Sequence, residues 1–434
     1  MTIPRIALHT LGCKLNAAET ATIGRQFLDR GYRLVEFGTV AEVCLINTCT
    51  VTERADRECR QIIRRARRTA PGAFVIVTGC YAQLAPEEIA SIDGVDAVLG
   101  SREKFAIFDH LDPSVRPAVP RVCASELEGV TEFGPAYAVH EIGRTRGYLK
   151  VQDGCDYLCS FCTIPRARGG SRSQALEECV GQARTMIAAG SKEIVLTGVN
   201  LGDYRGKTGE RLVDLLRALV DIAGLERLRI SSIEPNLLSD EIINLVASDP
   251  RICRHLHIPL QSGSESVLRR MRRRYTVGDY RQLQERLVAR IPDCGIGVDV
   301  IVGFPGETDE EFDETYRLLH ELPVSYLHVF TYSERAHTAA AAAGRAVPPQ
   351  VGRKRNAMLR MLSQKKRHAF YRAHLGKERT ALTESTTDGT LRLGLTDNYI
   401  RVGIPGVEEN TLLRIRITDV GEDRCRAEAV GEAT

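Results

Sequence analysis

Hydrophobic residues in the first hundred positions occur in short runs, separated by longer stretches in which they recur every three or four residues. The short runs have the length and composition of buried β-strands, whereas the longer stretches have the period of an α-helix. Strands therefore alternate with helices, which predicts a parallel sheet covered by helices. The predicted strands are RIALHTLGC, EVCLINTC and AFVIVTGC, and the predicted helices are AAETATIGRQFLDRG and ERADRECRQIIRRARRTAPG.

A second alternating region follows a less regular connector at residues 105–140. Its six strand-like runs are too few for a closed eight-stranded barrel and too many for one half of a Rossmann fold. We therefore predict a partial (β/α)6 barrel. Its predicted strands are GYLKVQDG, KEIVLTGVN, RLRISSIEP, HLHIPLQSG, GIGVDVIVGFPG and SYLHVFTYS.

Beyond residue 370 the pattern changes to short runs in which apolar and polar residues alternate, such as TLRLGLTDNYIRVGI and NTLLRIRITDVG. Turn residues separate these runs, which favours a small antiparallel β-barrel. The predicted fold is thus of the α/β class with three domains. The predicted boundaries are 1–122 for the open parallel sheet, 141–369 for the partial barrel and 370–434 for the small barrel.

Composition narrows the class of protein. The chain has 434 residues, of which 43% are hydrophobic and 26% are charged, as in ordinary soluble proteins. The sequence shows neither a signal peptide nor an apolar run of membrane-spanning length, so we expect a cytoplasmic protein. In that reducing compartment, 13 cysteines favour metal or redox chemistry over a disulfide framework.

Three of these cysteines form a C-x3-C-x2-C triplet at the end of the first predicted barrel strand: Cys155, Cys159 and Cys162. Three thiolates can hold three irons of a 4Fe–4S cluster and leave the fourth iron open to a cofactor or substrate. Zinc with a borrowed fourth ligand is the alternative, but no histidine lies nearby in the loop. The triplet is therefore predicted to be both metal-binding and catalytic.

A second trio is scattered in sequence. Cys13, Cys49 and Cys80 each follow the apolar part of a different strand in the first predicted sheet. Because the carboxyl ends of parallel strands share one edge of a sheet, these three thiols are expected to converge. Cys44 lies inside a strand instead and is predicted to be an ordinary buried cysteine.

The triplet GCDYLCSFC resembles the radical S-adenosylmethionine superfamily. TLGCKLN, NTCTVT and GCYAQ before it, and CTIPRARGGSRS, PLQSGSESVLRRMRR and GFPGET after it, are similar to the methylthiotransferases of that superfamily. The resemblance implies that S-adenosylmethionine binds at the open iron of the first cluster. It also implies an auxiliary 4Fe–4S cluster on Cys13, Cys49 and Cys80, and an RNA-binding TRAM domain at the carboxyl end.

Within that family the amino-terminal motifs most resemble the branch that acts on N6-threonylcarbamoyladenosine. This branch methylthiolates C2 of that nucleoside at position 37 of tRNA, next to the anticodon, and takes electrons from a protein such as a flavodoxin or ferredoxin. Three alternatives stay open. They are the isopentenyladenosine branch, the branch that modifies an aspartate of a ribosomal protein, and a non-catalytic, metal-stabilised RNA-binding protein.

Further contacts to S-adenosylmethionine are predicted from position, mostly at the ends of barrel strands. TGVN lacks the acidic residue with which the superfamily's cofactor motif often ends, and each candidate could instead be a hydrogen-bonded strand end or helix cap. His255 and His257 alternate with apolar residues and are predicted to be satisfied interior histidines. The cofactor candidates are Tyr157, Gly198, Asn200, Glu234, Gln261 and Arg168.

RNA binding requires basic surface, and the net charge of +3 does not supply it overall. Three local clusters supply basic surface instead. They are arginines 60–68, arginines 269–274, and the segment 353–372, which holds no acidic residue. From the last cluster, Lys365, Lys366 and Arg367 are predicted to contact tRNA.

Overall fold

The computed structural model describes residues 3–139 and 145–432. Its amino-terminal part is a six-stranded, fully parallel sheet in the order β2-β1-β3-β4-β5-β6. The predicted parallel sheet is therefore confirmed. The strands are β1 (Arg5–Thr10), β2 (Arg33–Val35), β3 (Val43–Thr48), β4 (Phe74–Gly79), β5 (Ala97–Leu99) and β6 (Arg121–Cys123), and the helices are α1 (Lys14–Leu28), α2 (Glu53–Thr69), α3 (Cys80–Leu84), α4 (Pro86–Ala90) and α5 (Ile107–His110).

The two central strands explain why their sequences read as unbroken apolar runs. Every residue of β3 and β4 is buried, because helices cover both faces of the sheet. Cys44 and Val75 lie on the face that packs against α2, while Leu45 and Ile76 lie on the other face with α1. Cys44 is 2% exposed and is thus the buried core residue that was predicted.

The central part is the predicted partial barrel. Strands β8-β11-β12 are parallel and continue through isolated bridges into the parallel strands β13-β14-β15, while β7 runs antiparallel along the outer edge of β8. The strands are β7 (Ala136–Ala138), β8 (Gly147–Lys150), β9 (Gln152–Asp153), β10 (Arg172–Ser173), β11 (Glu193–Thr197), β12 (Arg227–Ile230), β13 (His255–His257), β14 (Gly295–Val302) and β15 (Tyr326–Thr331).

Helices follow the barrel strands in the usual βα alternation and bury their apolar sides against the sheet. They are α6 (Ile164–Arg168), α7 (Leu176–Ala188), α8 (Leu212–Val220), α9 (Asp240–Ser248), α10 (Glu265–Arg270), α11 (Val277–Arg290), α12 (Asp309–Glu321), α13 (Ala339–Ala342) and α14 (Pro349–Arg372). The predicted boundary at residue 141 lies outside the described residues. No helix in residues 3–139 or 145–432 is both long enough and apolar enough to cross a membrane.

The carboxyl-terminal part is a closed five-stranded barrel in the order β16-β17-β18-β20-β19. All its pairings are antiparallel except that of β18 with β20, which is parallel. The small antiparallel barrel is therefore confirmed, with one parallel pairing that the alternating pattern did not predict. The strands are β16 (Glu378–Asp388), β17 (Leu391–Thr396), β18 (Arg401–Pro405), β19 (Leu412–Val420) and β20 (Cys425–Glu432).

A turn of the small barrel lies against the amino ends of the central strands. Arg229 donates hydrogen bonds to the carbonyl oxygens of Thr396 (3.0 Å) and Asp397 (3.2 Å). The ring of Tyr399 stacks on that of His255, with centroids 4.1 Å apart. The small barrel therefore closes this end of the central barrel.

Candidate active site

The two cysteine trios lie on separate parts of the chain, and the amino-terminal trio converges as predicted. Cys13 directly precedes α1, Cys49 follows β3 and Cys80 begins α3 after β4, and the three strands are neighbours in the sheet. Burial, together with the nearby thiols of Cys80 and Cys13, raises the pKa of the Cys49 thiol to about 12. The parallel order of the strands thus brings three thiols from three loops together.

A glycine with a positive φ stands directly before a cysteine of the site in three separate turns: Gly12 (96°), Gly79 (100°) and Gly154 (70°). A Cβ on Gly79 would lie 2.4 Å from the carbonyl oxygen of Thr48, and a Cβ on Gly154 would lie 1.9 Å from that of Gly170. Side chains are excluded there by both space and backbone conformation. The sequence shows these turns as a repeated Gly-Cys dipeptide. The prediction from strand patterns did not make use of this signal.

The triplet loop directs hydrogen-bond donors at its sulfur atoms. The backbone N–H groups of Tyr157 and Ile164 point at Cys155 Sγ and Cys162 Sγ, both at 3.4 Å. Arg273 donates from Nη1 to Cys159 Sγ at 3.0 Å. Hydrogen bonds to cysteine sulfur tune iron–sulfur clusters, so the surroundings of this loop fit such a group.

Two predicted cofactor contacts, Tyr157 and Glu234, lie beside the triplet. Glu234 forms an ion pair with Arg273, the residue that donates to Cys159. The hydroxyl of Tyr157 accepts a hydrogen bond from Asn236 Nδ2 at 2.7 Å, and the guanidinium of Arg274 lies over its ring at 3.9 Å. These arginines of the predicted basic cluster at 269–274 therefore support the loop.

Asn200 is a buried amide just after the end of β11. Its side chain is 3% exposed, and within the described part of the chain neither Oδ1 nor Nδ2 has a hydrogen-bond partner. Its backbone N–H is held by Gln152 Oε1 at 2.8 Å, and Gln152 also donates to the carbonyl oxygen of Gly154 at 2.8 Å. A buried amide without partners is costly, so Asn200 fits a site for a polar ligand. Gly198, two residues earlier, packs against Gln152.

The structure gives Arg168 a position different from the one predicted at the rim of the barrel. Its side chain is 2% exposed, and its Nη1 donates to Glu19 Oε1 and Asp153 Oδ1, both at 3.0 Å. Its Nη2 donates to Asn16 Oδ1 at 2.6 Å. Burial opposes the charge, but Cys80 together with Glu19 and Asp153 raises the pKa of Arg168 well above its ordinary value. Arg168 therefore faces the amino-terminal cysteines, which its place in the sequence after the triplet did not indicate.

Arg168 belongs to a buried group of charges that joins the two parts of the chain. The Glu19 carboxylate also accepts from Lys104 Nζ at 2.7 Å and from Lys150 Nζ at 3.0 Å, and none of these three side chains is exposed. Asp153 pairs in addition with Lys150 at 2.6 Å. The cations hold the pKa of Glu19 below its ordinary value despite its burial. The group holds more positive than negative charge, which suits neighbouring thiolates.

One small cavity lies between the two cysteine-bearing parts. It has a volume of about 180 Å³, and both parts line it. Val51 and Thr52 come from the loop after Cys49, and Phe161 comes from the triplet loop. Gln261, a predicted cofactor contact, and Asp299 complete its polar wall. A reacting group in this cavity would contact the surroundings of both trios.

The residues predicted to bind RNA lie near the carboxyl end of α14. Lys365 is exposed. Lys366 donates instead to the carbonyl oxygens of His320 (2.7 Å) and Leu322 (2.6 Å), and Arg367 pairs with Asp423 at 2.8 Å. Two of the three cations thus have structural partners.

Within the described residues, no group of three or more His, Cys, Asp or Glu residues is placed to hold a metal ion. Cluster ligation by either trio is therefore a proposal, and it rests on the donor chemistry of the cysteines and on the hydrogen bonds that their sulfur atoms accept.

Comparison with solved structures concerns the fold. The radical S-adenosylmethionine methyltransferase TsrM from Kitasatospora setae, with cobalamin and a [4Fe-4S] cluster bound, superposes with a TM-score of 0.56. The match covers 78% of this chain and 77% of TsrM at 18% sequence identity. The fold over most of this chain is thus similar to that of this solved structure.

Comparison of sequences identifies the family. The profile described as Radical SAM superfamily matches residues 149–319, and that described as Uncharacterized protein family UPF0004 matches residues 5–100. Threonylcarbamoyladenosine tRNA methylthiotransferase MtaB from Aquifex aeolicus is 39% identical over 95% of this chain and 100% of its own length. The enzyme of the same name from Bacillus subtilis is 39% identical over 96% of this chain and 94% of its own. The chain therefore belongs to the radical SAM methylthiotransferases, in the group of the threonylcarbamoyladenosine tRNA enzymes.

Proposed function

We propose that this protein methylthiolates C2 of N6-threonylcarbamoyladenosine at position 37 of tRNA. The observation that carries the proposal is the near full-length similarity to enzymes named for that reaction. The two cysteine trios and a cavity lined by residues near Cys49 and next to Cys162 support it, because the reaction needs both a radical initiator and a source of sulfur.

The six cysteines of the two trios are assigned as the ligands of the iron–sulfur clusters. We infer that Cys155, Cys159 and Cys162 hold a 4Fe–4S cluster whose open iron binds S-adenosylmethionine, and that Cys13, Cys49 and Cys80 hold a second one. When bound, these groups supply the electron that cleaves S-adenosylmethionine and the sulfur that is inserted.

The side chains around the trios have two roles, which are to bind the cofactor and to orient the cysteine loops. Arg273 fixes the triplet loop by its hydrogen bond to Cys159 Sγ, and Glu234 holds Arg273 in place. Asn200, whose amide has no partner among the described residues, would bind polar groups of S-adenosylmethionine, while Gln152 orders its backbone. Arg168 and the buried lysines place positive charge beside the second trio.

The tRNA-binding surface, the reductant, the domains and the location are proposed by analogy with the family. We propose that tRNA binds along α14 and the small barrel, with Lys365, Lys366 and Arg367 among the contacts, and that a flavodoxin- or ferredoxin-like protein reduces the enzyme. The proposed domains are 1–122, 141–369 and 370–434, and the proposed location is the cytoplasm, where tRNA is modified.

Iron analysis of anaerobically purified protein tests the ligand assignment. The intact chain is expected to hold about eight irons, and replacing either trio by alanine should leave about four. Cys44→Ala is the matched control, since Cys44 lies in the same sheet but inside a strand, and it should keep the full complement. An unchanged iron content in a trio variant, or zinc in place of iron, would contradict the assignment.

The substrate is tested in a bacterial strain that lacks its own enzyme of this group. Expression of this chain should restore 2-methylthio-N6-threonylcarbamoyladenosine to its tRNA, as read by mass spectrometry of nucleosides. If a methylthio group were restored on isopentenyladenosine instead, the protein would belong to the isopentenyladenosine branch.

A further inference from the structure

The last strand of the central barrel, β15, borders an open groove. Among the described residues it pairs with β14 on one side, and α14 covers its other edge. Ser363 Oγ accepts from the N–H of Leu327 at 2.8 Å, and Asn356 Nδ2 donates to the carbonyl oxygen of Val329 at 3.3 Å. Side chains therefore satisfy the strand edge, and backbone pairing with another chain is blocked there.

Phe330, near the end of β15, lies where three cavities meet. It lines the cavity of about 180 Å³ beside the triplet loop, a cavity of about 500 Å³ beside the small barrel, and one of about 910 Å³ beside α2. Its side chain is 40% exposed, which is unusual for phenylalanine. A chain lying in the two outer cavities would pass over this ring at the entrance to the inner one.

Arginines surround the outer cavities. Six of them line the two cavities, against the carboxylates of Glu53, Glu334 and Asp423. Four of the six are exposed and make no ion pair within the described parts of the chain: Arg54, Arg353, Arg360 and Arg401. An exposed aromatic ring flanked by free arginines is the chemistry that recognises single-stranded nucleic acid, in which unstacked bases need a platform and phosphates need cations.

We propose that this groove binds the unpaired nucleotides around the target adenosine, with Phe330 stacked on a base at the cavity entrance and the four free arginines on phosphates. The inference rests on the proposed function and adds the site by which the RNA strand is held. A double-stranded helix is disfavoured as the ligand, since its bases are already stacked and offer no face to the ring.

Binding of a synthetic anticodon stem-loop RNA that carries N6-threonylcarbamoyladenosine tests the role of Phe330. With the anaerobic holoenzyme, Phe330→Ala is expected to weaken binding about 10-fold. Phe330→Leu keeps an apolar side chain without a π-face and should show a similar loss, whereas Phe330→Trp should bind like the wild type. A blunt duplex RNA of the same length should bind equally to all four proteins.

The arginines are tested on two helices of the barrel. Arg360→Gln on α14 should reduce the slope of log affinity against log salt by about 1. Arg184→Gln on α7, also an exposed arginine on a helix but outside the groove, should leave the slope unchanged.

Two results would contradict RNA binding in the groove and leave the proposed function unaffected. One is unchanged stem-loop affinity in Phe330→Ala and Arg360→Gln while the wild type still modifies tRNA. The other is unchanged RNA affinity with slower reduction of these variants by a reduced flavodoxin, which would make the groove a docking site for the reductant. Failure of the wild type to modify any tRNA would overturn the proposed function instead.

Discussion

Individual buried polar groups in the central barrel differ in whether the protein itself satisfies them. His257 lies 2.6 Å from Ser232 Oγ through Nδ1 and 3.0 Å from Asp299 through Nε2, and His255 contacts the Tyr326 hydroxyl at 2.8 Å. Each histidine thus has one hydrogen-bonded ring nitrogen, but His255 Nδ1 and His257 Nε2 have no hydrogen-bond partner within the described residues, so the prediction of satisfied histidines is only partly met. In Asn200 neither polar atom of the buried side-chain amide has a partner within residues 3–139 and 145–432.

Replacement of Asn200 by alanine should therefore weaken cofactor binding and leave the cluster intact. We expect the Kd for S-adenosylmethionine to rise about 10- to 150-fold, since a hydrogen bond to a charged ligand contributes ~1.5–3 kcal/mol. Equilibrium dialysis under anaerobic conditions measures the Kd, and the iron content per chain should not change. Asn244→Ala, at a helix surface, is the control, and equal Kd values for the two variants would contradict the assignment.

Helix α14 shows how one element serves two purposes. At one end of α12 it places Arg355 against Glu307 (2.6 Å) and Asp309 (2.7 Å). At the other end it places Lys366 on the carbonyl groups of His320 and Leu322, where a cation favours the helix dipole. The basic run in the sequence is thus partly a clamp on α12 and partly exposed surface.

Separate charge reversals in α14 distinguish these roles. Lys365→Glu should weaken tRNA binding and flatten its salt dependence without changing stability, since the side chain is exposed. Lys366→Glu should lower the free energy of unfolding by ~1–3 kcal/mol, because it removes two hydrogen bonds and places an acid at a helix carboxyl end.

Urea unfolding and tRNA binding at several salt concentrations provide the two measurements. Reversal of Lys365, Lys366 and Arg367 together is expected to weaken tRNA binding and flatten its salt dependence. An unchanged slope for Lys365→Glu would argue against tRNA contact at this end of the helix.

At the scale of the whole molecule, the buried charges around Glu19 connect the two parts that carry the cysteines. Glu19 comes from α1, Lys104 from a short 3-10 helix after β5, and Lys150 and Arg168 from the central barrel. Such a network fixes the relative position of the trios only while its charges are complete, because a lone buried charge is costly.

Glu19→Gln is accordingly expected to destabilise the protein by ~3 kcal/mol or more, since it leaves buried cations without their shared carboxylate. Glu42→Gln is the matched control, because Glu42 pairs with Arg5 at 2.8 Å near the surface, where an ion pair contributes ~1 kcal/mol or less. Anaerobic urea unfolding of the holoenzyme compares the two. Equal small losses would show that the network is not needed for stability.

Much of the fold could be predicted because it depends on local spacing. The period of apolar residues follows from the geometry of strands and helices, so the parallel sheet, the six-stranded partial barrel and the small barrel were all predictable. Convergence of Cys13, Cys49 and Cys80 was predictable as well, since parallel strands end at a common edge. The parallel pairing of β18 with β20 was not, because alternation along a strand does not specify its neighbour.

The sequence by itself determined which residues carry the chemistry, through the C-x3-C-x2-C triplet and the cysteines at three strand ends. Only the tertiary structure decided the surroundings of those cysteines. Arg168 stands six residues after Cys162, yet it contacts Glu19, 149 positions away. Likewise, Phe330 reads as one residue of a buried strand but lies at the meeting point of three cavities. Such contacts depend on how distant segments pack, which the spacing of residues along the chain does not encode.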